Sequence, residues 1–110
     1  MIEDAAQSFG KLNIDVKKMN IDLLTASAHK IGGSKGIGML YIKENIPISS
    51  IILGGGQEMN LRGGTENVPA IVGFAKALEI IKKSSKEKII ELRNYFIQQF
   101  EKLGGKINGS

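Results

Sequence analysis

The spacing of the apolar residues changes near the middle of the chain, and this change constrains the fold more than any other feature. Before about residue 56 they come in short runs. Leu23-Leu24-Thr25-Ala26-Ser27-Ala28 closes at His29-Lys30, and Ile37-Gly38-Met39-Leu40-Tyr41-Ile42 follows a glycine-rich turn. Both runs predict strands. Met1-Ile2-Glu3-Asp4 predicts the end of a short buried strand carrying an acid at its tip. Asp15 to Asp22 is polar and mixed, and the apolar run Ile48 to Leu53 is cut by Gly54-Gly55-Gly56.

From Glu66 to Lys83 the spacing becomes helical, through Val68, Ile71, Val72, Ala75, Leu78 and Ile81. Pro69 fits the first turn, where its missing N–H costs nothing. Ser84 and Glu87 have the spacing of a capping box that starts a second helix. Ile89, Leu92, Phe96, Phe100 and Leu103 form its apolar stripe, expected to be core, and Gly104-Gly105 stops it. Lys106-Ile107-Asn108 predicts the start of another strand. Strands followed by long helices predict an α/β layer, and interrupted patterns at both ends predict part of one.

With 110 residues the chain has the length of one domain. It has no cysteine, which excludes disulfides and thiolate metal sites within it, and its single histidine argues against a multi-histidine metal site. Neither a membrane span nor a signal pattern is visible, so the cytoplasm is the expected location. The formal charge of +4 raises nucleic acid as a partner. However, Lys82, Lys83, Lys86 and Lys88 are mixed with Glu79, Glu87 and Glu91, and six aromatic residues are too scattered to stack bases. A solvated helix face is the expectation, with neither nucleic acid nor membrane as partner.

Ser27-Ala28-His29-Lys30, followed by Gly32-Gly33-Ser34-Lys35-Gly36, is where chemistry is expected. A lysine attacks carbonyls only when unprotonated, and a second cation such as Lys35 disfavours its charge. Glycines let backbone N–H groups approach an anion, and Ser27, Ser34 and His29 add donors. A phosphate-bearing aldehyde such as pyridoxal phosphate would use all of these groups, together with an acid at its ring nitrogen. Asp4 stands at a predicted strand end, and Gln7 follows three residues on. Spacing alone leaves the ordinary roles open: Asp4 as a helix cap, Gln7 on the surface, His29 in a turn, Thr65 capping the helix from Glu66. The loop is not a Walker loop, because its glycine spacing differs and no helix follows.

The ordered series is more specific. Asp4-Ala5-Ala6-Gln7, Ser27-Ala28-His29-Lys30, Gly33-Ser34-Lys35-Gly36-Ile37-Gly38, Gly54-Gly55-Gly56-Gln57-Glu58 and Arg62-Gly63-Gly64-Thr65-Glu66-Asn67 resemble the middle of the cysteine desulfurases, within the class V group of pyridoxal-phosphate enzymes. The resemblance runs from about residue 3 to at least residue 79. It implies an α/β fold: a partial large domain of the fold-type I, aspartate aminotransferase-like pyridoxal-phosphate transferases. Residues 1–110 would be the central and C-terminal part of that incomplete domain.

The resemblance also implies roles. Lys30 would be the Schiff-base lysine, and Asp4 would pair with the ring nitrogen. Gln7 would bond the ring's phenolic oxygen, and Ser27 and His29 would hold the phosphate. Thr65 would reach the phosphate in the partner subunit of a homodimer. The implied substrate is L-cysteine, converted to alanine while sulfur passes to an acceptor cysteine or scaffold protein for iron–sulfur cluster or thio-cofactor synthesis. Position 34 departs from the family, being serine where proline is usual. The sulfur-accepting cysteine and the arginine that holds the substrate carboxylate would lie beyond this C-terminus. The isolated chain is therefore expected to be an inactive internal fragment. A selenocysteine lyase or an aminotransferase of the same fold shares the lysine and aspartate. Glu3-Asp4-Ala5-Ala6-Gln7-Ser8 alone also resembles sugar aminotransferases. A non-catalytic phosphate- or partner-binding module is the alternative from another class.

Overall fold

In a computed structural model, which describes residues 1–84 and 86–109, the first half of the chain forms a three-stranded sheet. Strand β1 spans Ile2–Asp4, β2 Leu23–Ser27 and β3 Gly38–Ile42. β2 lies in the centre, parallel to β1 and antiparallel to β3. Along β2, Leu24 and Ala26 are buried while Thr25 is exposed, so a period of two gives the sheet an inner and an outer face. β1 is short and at an edge, and Ile2 is largely exposed. The acid does sit at the strand tip, but the strand is not buried as expected.

Helix α1, Val68–Lys83, covers the inner face. Phe74 and Ala77 are buried there with Ala5, Ile21, Leu24, Ala26, Ala28 and Ile31, and Leu78 and Ile81 pack around them. Phe9 meets Phe74 edge-on, ring centroids 6.0 Å apart. Ile21 and Leu24 are the largest fully buried side chains, each worth about 1.5–3 kcal/mol of transfer free energy. The inner face of α1 is centred on Phe74 and Ala77. Val68, Ile71 and Val72, from the expected stripe, point away and are exposed. Asn67 caps the helix, its side-chain oxygen accepting from the Ala70 N–H at 3.3 Å, and Pro69 lies in the first turn.

Helix α2 spans Lys86–Lys102 and has no buried residue. The expected core stripe is exposed, from Phe100 at 39% to Leu103 at 86%. Periodicity identified an amphipathic helix correctly, but among the described residues no element covers its apolar side. Phe96 and Phe100 stack on each other instead, 6.0 Å apart. The radius of gyration, 18.5 Å, exceeds the roughly 13 Å of a compact domain of this length. Ser84 is used at the end of α1, where its hydroxyl donates to the Ile81 carbonyl at 2.7 Å. Ser85, inside the expected capping segment, lies outside the described residues. Gly104 has a φ of 84° just after α2, as expected of a helix stop. Residues 106–108 form no strand, and no strand among the described residues pairs with them.

Glu79 bonds both Lys76 and Lys83 at 2.8 Å, so the basic surface of α1 is locally compensated. Among the described residues no helix is long and apolar enough to cross a membrane.

Candidate functional site

The parallel pairing of β1 with β2 sets Asp4 beside Thr25. The Thr25 hydroxyl donates to Asp4 Oδ1 at 2.8 Å, and the Ala6 N–H donates to the same oxygen at 3.1 Å. Hydrogen bonds to the charged form favour it, so the Thr25 hydroxyl first, and the Ala6 N–H second, hold Asp4 below the ordinary carboxylate range. The carboxylate is exposed at the carboxyl end of β1. Thr25 was not singled out from the sequence; the only signal was its place on the polar side of an alternating strand. Gln7 is exposed in the turn that follows Asp4.

Two residues beyond Thr25 on the same side of β2, the Ser27 hydroxyl lies 2.7 Å from His29 Nδ1. A short 3-10 turn, Ala28–Ile31, then carries His29 and Lys30 outwards while burying Ala28 and Ile31 against α1. Gly32 closes the turn with a φ of 84°. The Gly32 and Gly33 N–H groups donate back to the His29 and Ala28 carbonyls. These two glycine N–H groups are therefore spent on the turn rather than offered to an anion. Ser27 and His29 remain as anion donors. Ser34 lies over Gly73 of α1, and its hydroxyl makes no hydrogen bond among the described residues. Lys30 and Lys35 are both exposed and make no ion pair among those residues. The chain's own side chains thus do not supply the desolvation that a nucleophilic lysine requires.

Asp4, Ser27, His29 and Lys30 gather at the carboxyl ends of the parallel pair β1 and β2, where open α/β sheets bind ligands. Thr65 is elsewhere. It lines a hollow of roughly 820 Å³ between β3, the loop before α1 and α1 itself, bordered also by Leu40, Ile52, Met59 and Phe74. None of Asp4, Gln7, Ser27, His29 and Lys30 lines that hollow. Asn67, not Thr65, caps α1, so the Thr65 hydroxyl is not used by the helix.

The loop that leads to Thr65 is tightly built. Glu58, Met59 and Asn60 have successive positive φ values of 47°, 56° and 65°, a conformation costing about 1–2 kcal/mol per residue. The loop closes where the Gly63 N–H donates to the Ile52 carbonyl at 2.7 Å. Gly54 and Gly63 cross so closely that a Cβ on Gly63 would stand 2.7 Å from the Gly54 Cα. No side chain fits at that crossing.

The donor set at the strand ends fits a phosphate-bearing aldehyde with a basic ring nitrogen. An ionised carboxylate, a hydroxyl–imidazole pair and an unpaired lysine supply a group for each function on such a molecule. Among the described residues no group of three or more His, Cys, Asp or Glu side chains is placed to hold a metal ion.

The family described as "Aminotransferase class-V" matches residues 1–106. The chain is 48% identical over 101 residues to a cysteine desulfurase IscS of Clostridium botulinum, an alignment covering 89% of this chain and 25% of that protein. It is 50% identical over 114 residues to a mitosomal cysteine desulfurase of Encephalitozoon cuniculi, covering 97% and 26%. The fold superposes on the X-ray structure of a NifS-like protein from Rickettsia africae with a TM-score of 0.85 at 38% identity, covering 92% of this chain and 29% of that one. The chain thus spans about a quarter of the length of the curated relatives it matches.

Proposed function

The chain belongs to the class-V aminotransferases, and from that membership we propose that residues 1–110 form the central and C-terminal part of the cofactor-binding large domain of a pyridoxal-phosphate-dependent cysteine desulfurase. One observation carries this reading: an Asp4 carboxylate fixed by Thr25 stands at the same strand ends as the Ser27–His29 pair and Lys30. The similarity to proteins named cysteine desulfurase supports the choice within the family.

The cofactor, when bound, supplies an electron sink for the carbon that carries the substrate amine. Asp4, kept ionised, would accept a hydrogen bond from the protonated ring nitrogen and so keep that nitrogen protonated. Ser27 and His29 share one hydrogen bond, which leaves a proton for a phosphate oxygen in either neutral tautomer. If the Ser27 hydroxyl donates to Nδ1, Nε2–H faces outwards; if Nδ1–H donates, the serine proton is free. Lys30 would supply the amine that holds the cofactor's aldehyde carbon, and the same amine would move protons on the substrate. Gln7 donates its carboxamide N–H to the ring oxygen.

Thr65, remote from these groups in its own chain, serves the phosphate of the partner subunit in a homodimer. The partner also supplies part of the enclosure that the exposed Lys30 lacks. The substrate is L-cysteine, released as alanine, with sulfur passed to an acceptor thiol for iron–sulfur cluster or thio-cofactor synthesis. This chain has no cysteine, so that thiol is not among its residues. The cytoplasm keeps such thiols reduced and is the compartment this chemistry favours.

Titration of the purified chain with pyridoxal phosphate tests the reading. The expected result is a yellow absorption band that Lys30→Ala abolishes. No band from folded chain would overturn cofactor binding, and a band that survives Lys30→Ala would remove the lysine from its role.

A further inference from the structure

The segment from Gly54 to Glu58 has no part in the chemistry above, although its geometry is unusually constrained. Gln57 sits half-buried at the start of the left-handed turn 58–60. Its side-chain oxygen accepts a hydrogen bond from the Gly64 N–H at 3.1 Å, across seven residues. Gly64 immediately precedes Thr65. Gly55 makes room for the same carboxamide, since a Cβ there would stand 3.2 Å from Gln57 Nε2. Two main-chain features converge on the same point: the Gly54–Gly63 crossing and the Gly63 N–H bond to Ile52. Turn, crossing and side chain together bring the Gln57 acceptor back to the peptide that carries Thr65.

We infer that Gln57 is a positioning residue whose side-chain oxygen clamps the Gly64 N–H and thereby fixes where Thr65 presents its hydroxyl. The consequence for a phosphate-bearing ligand rests on the function proposed above; the clamp itself does not. A peptide left without an acceptor at this point would be free to rotate, and the hydroxyl would be presented over a range of directions. The favourable geometry would then be paid for on binding instead of being set beforehand.

The test begins without cofactor. In isotopically labelled chain, NMR reads the solvent exchange of the Gly64 amide proton and the backbone order parameter of Thr65, in wild type, Gln57→Leu and Gln57→Glu. Leucine has similar bulk and no acceptor; glutamate keeps the acceptor. The expected result is Gly64 exchange a few-fold to about tenfold faster in Gln57→Leu, matching the loss of one hydrogen bond. Thr65 should then drop from near 0.85 towards 0.6 in order parameter, with both values restored in Gln57→Glu. Unchanged exchange in Gln57→Leu, or faster exchange with Thr65 still ordered, would overturn the inference. Binding is then compared between pyridoxal phosphate and pyridoxal. Gln57→Leu should lower the preference for the phosphorylated form in wild-type background and not in Thr65→Ala. A wild-type chain with no such preference would count against the proposed function, while the cofactor-free measurement still decides the clamp.

Discussion

The Thr25 hydroxyl donates to the Asp4 carboxylate at 2.8 Å, from the middle of β2, where Thr25 is paired with Asp4. This one bond ties the parallel pairing of β1 and β2 to the charge state of the group expected to meet the cofactor ring. Asp4 lies below the ordinary range chiefly because of this hydroxyl. A carboxylate lowered in the folded state contributes stability that is present above its unfolded pKa and lost as pH falls through the folded value. Thr25→Val should therefore raise the Asp4 pKa, and Thr25→Ser should preserve it, as read by NMR titration of the Asp4 carboxyl. At neutral pH the valine variant should be the less stable. Its deficit should shrink as pH falls below the ordinary carboxylate range and through the lowered folded value, where the group becomes protonated in both states. An Asp4 titration identical in wild type and Thr25→Val would contradict this.

The asymmetry between the two helices gives a second expectation. Leu24 is 2% exposed and packs under α1, so Leu24→Ala should cost about 2–5 kcal/mol. Against a total stability of about 5–15 kcal/mol that is a large share. Ile89→Ala, on the exposed face of α2, should change stability by no more than about 0.5 kcal/mol. Urea unfolding of both variants measures the contrast.

The open stripe of α2 should instead govern self-association. Ile89, Leu92 and Phe96 are more than half exposed, and uncovered apolar surface of this kind associates. Leu92→Ser with Phe96→Ser should lower concentration-dependent light scattering while leaving the unfolding midpoint of the sheet and α1 nearly unchanged.

A fourth expectation concerns the crossing beneath Thr65. Gly63→Ala places a Cβ 2.7–2.8 Å from the Gly54 backbone, which cannot be relieved by turning a side chain. The loop must separate, at a cost of about 1–3 kcal/mol. Backbone NMR shifts should move from residue 52 to residue 67 and stay fixed in β2.

The placement of the candidate site residues was legible in the sequence because they lie at chain positions that local patterns define, whereas their roles were implied only by the family resemblance. Asp4, Ser27, His29 and Lys30 follow strand ends, and strand ends are marked by where an apolar run stops. Thr25 was not legible: alternation gives the side of the strand but not the partner across it. Ile21 is fully buried within a segment that reads as polar and mixed, because its apolar residues Val16, Met19 and Ile21 follow no single helical or strand period. The stripe of α2 failed as a core prediction for a related reason. Helical spacing reports that a face is apolar, whereas burial depends on what lies opposite. The strand expected at 106–108 likewise required a neighbour to pair with. In the glycine loop, composition pointed to an anion cradle, but Gly32 and Gly33 donate to the turn itself, and only the hydrogen-bond pattern reveals this.

The central claim is that Lys30, rather than another exposed lysine, is the cofactor-bearing amine. Incubating the chain with pyridoxal phosphate, reducing it with borohydride and mapping the modified peptides by mass spectrometry tests that directly. The expected result is modification concentrated on Lys30, with Lys35 and the helix lysines Lys76, Lys82 and Lys88 at background. Modification spread over the exposed lysines without preference, or concentrated on a lysine other than Lys30, would contradict it.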